Sequence, residues 1–299
     1  MKKVTVIGDP VRNSRLRTEI EKVLGELGFS LHSEDELPPE RADGVWCTDP
    51  SVELRGRLAE LPEKIFRIFQ AQKSPIYAPD SHYTHIFLEP QWNVVMTWNR
   101  AYEADHIIHY DIPMPDIREG KLPDPFPERT FLQNDRCVAT APCVPGAFRF
   151  FLPVRTRLFR RLARGGFVDL CAPGWPASLK KDVPGSTAER IALIGEYPCA
   201  LVIEDMWAPG YVSESLMECI LAGTPVIYFG DDFHAERRFP GTFEAMERLD
   251  EASFFRARES LRMHYAAHRA AVLRCRGMAE RWNDSFLEAV KESFRRFED

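Results

Sequence analysis

Short apolar runs alternate with stretches of helical periodicity through the first third of the chain. "KVTVIGD" (3–9) reads as a strand ending in Gly-Asp. "SRLRTEIEKVLGELG" (14–28) follows as a helix, with Leu16, Ile20, Val23, Leu24 and Leu27 at helical spacing and Gly28 as its stop. "DGVWCTD" (43–49) and "KIFRIFQ" (64–70) predict further strands, with a helix over "VELRGRLAEL" (52–61) between them. "NVVMTWN" (93–99) and "DHIIHY" (105–110) extend the set. Such alternation predicts a parallel sheet with helices on its faces.

The pattern then breaks. Residues 111–131 carry Pro113, Pro115, Pro123, Pro125 and Pro127 among many charges, which excludes helix and central strand and reads as a linker. A second alternation follows: strands at "RCVATAP" (136–142), "FVDLCAPG" (167–174), "CALVIED" (199–205) and "TPVIYFGDD" (224–232), with helices over 155–166, 186–197 and 213–223. From about Phe254 the chain is amphipathic and helical, with no proline and with Gly277 as its glycine. The fold class expected is α/β, of the GT-B architecture: two Rossmann-like doubly wound domains facing a cleft, with a long C-terminal helix. The expected boundaries are 1–115, a linker at 116–132, a second domain at 133–250, and C-terminal helices at 251–299 packing across both domains.

Composition narrows the function. The 299 residues are 44% hydrophobic and 28% charged, a globular balance, and the length suits two α/β domains. The formal net charge of -6 argues against a nucleic-acid partner. The Cys count of 7 is odd and no CxxC occurs, so reduced thiols are expected rather than a disulfide framework or a cysteine zinc site. "MKKVTVIGDP" is too short in apolar residues for a secretory segment, and no apolar stretch is long enough to span a membrane. The expectation is a cytoplasmic protein.

The chemistry concentrates in "GYVSESLMECILAGTPVIYFGDD" (210–232). In a parallel sheet, ligands sit beyond the carboxyl ends of the strands, and "CALVIED" delivers Glu204 and Asp205 there. A helix beginning at Ser213 offers backbone N–H donors and a partial positive charge, which suits phosphate. Glu214 in its first turn suits a pair of ribose hydroxyls, because a carboxylate accepts two hydrogen bonds at once. Plain capping accounts for Ser-Glu-Ser equally well by itself. The Asp and Glu ending the strand, Gly210-Tyr211 before the helix, and the basic helix at 155–166 tip the reading towards a site.

"IEDMWAPGYVSESLMECILAGTPVIYFG" (203–230) resembles the donor-binding motif of the α-1,3-fucosyltransferases, glycosyltransferase family ten, with Phe-Glu-Asn, then Tyr-Val-Thr-Glu-Lys-Leu, then an Ala-Gly-x-x-Pro-Val turn. "RTRLFRRLARGGFVD" (155–169) is similar to the family's arginine-containing helix, and "WNVVMTWNRAYEAD" (92–105) more faintly to its Phe-Asn-Trp, Met-Ser-Tyr-Arg and Asp-Ser-Asp segment. The resemblance covers about 74–245 in pieces. It implies an inverting transfer from a nucleotide diphosphate sugar, typically GDP-fucose, to a glycan acceptor, with no metal and no cofactor. It implies that Glu214 holds the ribose, that Tyr211 and Ser213 line the ribose and diphosphate, that Arg155 pairs with the phosphates with Arg157 in reserve, and that Glu204 sits at the pocket floor. The N-terminal domain would face the acceptor.

Two positions depart from the family pattern. Ser215 stands where the family has lysine, removing a cation, and Asp205 stands where it has asparagine, adding a negative charge. Lys180, Lys181, Arg237 and Arg238 are candidates to compensate. These departures leave room for another donor, such as a UDP-sugar, or for a catalytically degenerate module that only binds sugar nucleotides. The general base implied by the family falls within "SPIYAPDSHYTHIFLEPQW" (74–92), where Asp80, His82 and Glu89 compete. The spacing of His106 and His109 puts them on opposite faces of a strand, poorly placed to share a metal. Arginines among the apolar residues of the C-terminal stretch keep open a peripheral position on an anionic membrane, the plainer reading being packing against the domains.

Overall fold

The computed structural model describes residues 1–9, 14–73, 84–114, 122–124, 136–143 and 152–297. They form two compact units, Met1–Asp116 with Asn283–Asp299, and Ile117–Trp282. Apart from 122–124, the expected linker lies outside the described residues.

Unit 1 is built on β1 (Lys2–Ile7), β2 (Phe29–Ser33), β3 (Gly44–Thr48), β4 (Phe66–Ala71), β5 (Val94–Thr97) and β6 (Ile107–His109), with α1 (Ser14–Glu26), α2 (Val52–Ala59) and the single turn α3 (Thr84–Phe87) between them. The strands form one sheet in the order β2-β1-β3-β4-β5-β6, every pairing parallel. Strand β2 escapes the periodicity because it is an edge strand whose Ser30 and His32 interrupt the apolar run. The interior is aromatic. Phe69 meets Phe87 at 5.7 Å and Trp92 at 5.3 Å between ring centroids. Buried Trp46 donates through Nε1 to Gln70 Oε1 at 2.9 Å, so these two groups satisfy each other.

Unit 2 contains β7 (Cys137–Ala139), α4 (Leu152–Arg164), β8 (Val168–Leu170), α5 (Thr187–Ile194), β9 (Cys199–Ile203), α6 (Glu214–Ala222), β10 (Val226–Phe229), α7 (Asp232–Arg238) and β11 (Phe243–Ala245). Its sheet runs β11-β10-β9-β7-β8 and is again wholly parallel. Counted from its own first strand, this is the order 2-1-3-4-5, and β1 to β5 of unit 1 follow the same order. The order therefore reverses between β1 and β3 in one sheet and between β7 and β9 in the other. Such a reversal opens a crevice at the carboxyl ends of the two strands. The cysteines are all free and buried.

The helical C-terminal stretch is three helices rather than one: α8 (Glu251–Met263), α9 (Tyr265–Gly277) and α10 (Asp284–Arg295). The first two belong to unit 2, where Phe254 and Leu261 are fully buried. The last belongs to unit 1. Phe286, Val290 and Phe294 recur at helical spacing on α10 and are buried. Phe294 meets Phe29 at 5.0 Å and Trp46 at 5.8 Å, and Phe297 stacks on Phe66 at 4.5 Å. The apolar face of α10 is thus covered by protein. Among the described residues no helix is long and apolar enough to cross a membrane. Because α10 closes this core, Phe294→Ala is expected to cost about 3–5 kcal/mol in urea unfolding. A loss below about 1 kcal/mol would show that α10 is only loosely attached.

Candidate functional site

The β7/β9 crevice of unit 2 is organised by Arg155. On α4, Leu158, Phe159 and Leu162 are buried against the sheet. Arg155 stands three, four and seven positions before them, so it shares their face and is only 3% exposed. Its Nη1 donates to Ile203 O at 3.1 Å and Nη2 to Pro142 O at 3.4 Å. These carbonyls follow β7 and end β9, so the guanidinium bridges the two strands where the sheet order reverses. Nη1 also forms a short ion pair with Asp205.

Beside it, Glu204 is buried at 2% exposure. Its Oε1 accepts the backbone N–H of Ser213 at 2.9 Å and the Tyr228 hydroxyl at 3.1 Å. Burial raises its pKa to about 7, against the lowering effect of the Ser213 hydrogen bonds. Gly230 gives the carboxyl its room: a Cβ there would lie 2.5 Å from Glu204 Cγ and 2.5 Å from Tyr228 Oη. Ser213 caps α6 by accepting from the N–H of Ser215 at 3.3 Å, and Gly223, at φ +80°, ends the helix in a left-handed turn. Behind α6, Glu218 is gripped through both its oxygens by Arg190 Nε, and at 2.7 Å by Arg190 Nη2. The start of α6, with Glu214 and Ser215 in its first turn, is therefore fixed from the strand side and from the helix side.

Sequence reasoning overlooked Tyr228 and Asp231. Asp231 stands near the end of the expected strand "TPVIYFGDD" and is only 3% exposed. It accepts the N–H of Gly210 at 2.5 Å and is paired with His234 Nδ1 at 2.5 Å. Gly210 has φ +87°, which glycine adopts without strain. The legible signals were Tyr228 as the lone hydroxyl in an apolar strand and an acid at the carboxyl end of β10.

Arg155, Glu204, Ser213, Glu214 and Ser215 are thus brought to one edge. Tyr211, buried at 6% exposure, precedes them in the same loop. Arg157 is not brought there. Two residues along a helix point to opposite sides, and Arg157 lines a cavity on the outer face with Leu249, Asp250 and Glu251. Among the compensating cations proposed, Arg238 donates to Trp282 O at 3.1 Å. Asp80 and His82 lie outside the described residues. Glu89 accepts from Arg55 at 3.1 Å, Gln91 at 2.8 Å and Trp92 Nε1 at 3.2 Å, an arrangement that holds a loop. His106 and His109 contact different backbone carbonyls, those of Phe87 and Tyr102. Among the described residues no cluster of three or more His, Cys, Asp or Glu is placed to hold a metal ion.

Two all-parallel sheets of one strand order, with the C-terminal helix returned to the first unit, define the GT-B fold of glycosyltransferases. Solved structures share it. An α1,3-fucosyltransferase aligns over 100% of this chain and 90% of its own, at 14% identity and TM-score 0.60. An α1,3-fucosyltransferase with GDP-fucose aligns over 91% and 81%, at 15% identity and TM-score 0.53. An α-glucosyltransferase in complex with UDP-glucose and DNA containing an abasic site aligns over 100% of both chains, at 8% identity and TM-score 0.60. No protein-family model and no curated protein matches the sequence.

The raised pKa of Glu204 has a measurable consequence. Between about pH 4.5 and 7 the native carboxyl keeps a proton that the unfolded chain releases. Its contribution to stability is full below pH 4.5 and is lost as pH rises through 7. Glu204→Gln keeps the accepting oxygen and removes the titration. Urea unfolding from pH 4.5 to 8 should show the wild type losing on the order of 3 kcal/mol relative to this variant. Parallel curves would mean that Glu204 titrates normally.

Proposed function

We propose that the protein is a glycosyltransferase, a divergent relative of the α-1,3-fucosyltransferases, and that unit 2 binds a nucleotide diphosphate sugar. GDP-fucose is the donor favoured, moved with inversion and without a metal to a glycan acceptor. The observation that carries this reading is the position of Arg155 at the β7/β9 crevice, next to the strand end whose Glu204 holds the start of α6. A guanidinium and the N–H groups of a helix start are complementary to a diphosphate. Glu214, in the first turn, is placed for the ribose. In transfer, negative charge grows on the departing diphosphate, and arginine stabilises it. The occupied hydrogen bonds of Glu89 favour Asp80 or His82 as the base that takes the acceptor's proton.

A UDP-sugar is the second reading. Ser215 lacks the ammonium of the fucosyltransferase pattern, and the α-glucosyltransferase solved with UDP-glucose matches at the same TM-score, 0.60, as the fucosyltransferase. A binding module without turnover is the third.

Thermal shift with GDP, UDP, CMP and dTDP, followed by hydrolysis of the matching sugar nucleotide, separates them. GDP should stabilise most, with GDP-fucose turned over. Preference for UDP would replace the donor, and binding without turnover across varied acceptors would leave a module. Glu214→Ala should weaken nucleotide binding at least tenfold, about 1.4 kcal/mol, in calorimetric titration. Unchanged affinity would remove the ribose role.

A further inference from the structure

A diphosphate at the crevice has to compete for the Nη1 edge of Arg155. Its Nη1 is held by Ile203 O and Asp205, and its Nη2 by Pro142 O. The carbonyls belong to the ends of the strands and are fixed with the sheet. Asp205 is different. It is the residue at which the chain leaves β9 for the loop to α6, and its side chain is 15% exposed against 4% for Arg155. The carboxylate is thus the more exposed partner of the pair. The neighbouring acids have their own partners: Glu204 holds Ser213 and Tyr228, and Asp231 holds Gly210 and His234. Moving Asp205 breaks none of these contacts.

We propose that Asp205 is an internal competitor for the donor's diphosphate: the ligand takes the Nη1 edge of Arg155 by displacing the Asp205 carboxylate, which returns when the diphosphate leaves. This rests on the reading of unit 2 as a nucleotide-sugar site. A phosphate can win the exchange because its oxygens match the planar fork and carry more charge than one carboxylate. The displaced ion pair is lost from the binding energy, so the grip on the diphosphate is weaker than the guanidinium alone would give. Asp205 therefore sets affinity for the diphosphate portion of the donor and speeds release of the nucleoside diphosphate product. It acts through Arg155 and is a positioning residue.

Asp205→Asn tests this. The amide keeps the size and an oxygen for Nη1 but removes the competing charge. In calorimetric titration of the wild type and this variant, GDP and UDP should each bind at least tenfold tighter to the variant if they bind at all. Guanosine and uridine, which have no phosphate, should be unaffected. Equal or weaker diphosphate binding by the folded variant would overturn the proposal while leaving the nucleotide-sugar reading intact. A gain that extends equally to the nucleosides would also overturn it, by pointing to a general change of the loop. Absence of binding to both proteins would reject the nucleotide site and the proposal together. If the variant does not fold, a crystal structure of the wild type with GDP decides. Arg155 on phosphate with Asp205 turned away supports the exchange, and an intact Arg155–Asp205 pair beside bound GDP refutes it.

Discussion

A buried carboxyl group, Glu204, ties the loop before α6 to the carboxyl ends of the unit 2 strands. Glu204 reaches the loop before α6 through the Ser213 N–H and reaches β10 through the Tyr228 hydroxyl, both on one oxygen. Taking a carboxyl out of water is costly unless hydrogen bonds replace the lost hydration. Here the two donors supply part of that replacement, and in doing so they fix where α6 begins. Gly230 contributes by lacking a side chain, since any Cβ would occupy the space of the acid and the phenol. Asp231 repeats the device at the middle of the same loop by holding Gly210. The loop between β9 and α6 is therefore clamped at two points by acids from adjacent strands.

With that loop fixed, the other features of the edge follow. Ser213 caps a helix whose opposite end stops at Gly223, and Arg190 secures the helix through Glu218. Arg155 is positioned independently, by the apolar face of α4. The cation thus comes from one structural element and the helix start from another, and both meet at the end of β9. The Arg155 guanidinium is held at its tip by Ile203 O and Pro142 O, and the helix start by Glu204.

Much of this was legible in the sequence because it has a period. Strand runs such as "CALVI" and the helical spacing of α4 and α6 have clear signatures. Two strands were missed: in "FSLHS" the alternation covers only five residues, and β11 is only three residues long. The breaks in the C-terminal stretch were hidden for another reason. No proline marks them, and a glycine stands at only one, Gly277 at the end of α9. Within the site, Glu204, Ser213 and Glu214 were visible as polar residues at strand and helix ends. Arg155 was visible as a motif residue, and its placement within an apolar helical register distinguished it from Arg157, a clue that the motif alone did not use. Tyr228 and Asp231 were obscured because one reads as core and the other as the end of a strand. Their roles depend on what lies across the sheet, which no local pattern records.

The return of α10 to unit 1 has a consequence for the order of synthesis. Unit 2 occupies 117–282, between the two segments of unit 1. Phe29, Trp46 and Phe66 lie early in the chain, whereas the rings that cover them, Phe294 and Phe297, come after all of unit 2. During translation the second unit can be complete while the first still exposes an aromatic face. Closure of that face therefore waits for α10, which is made only after all of unit 2.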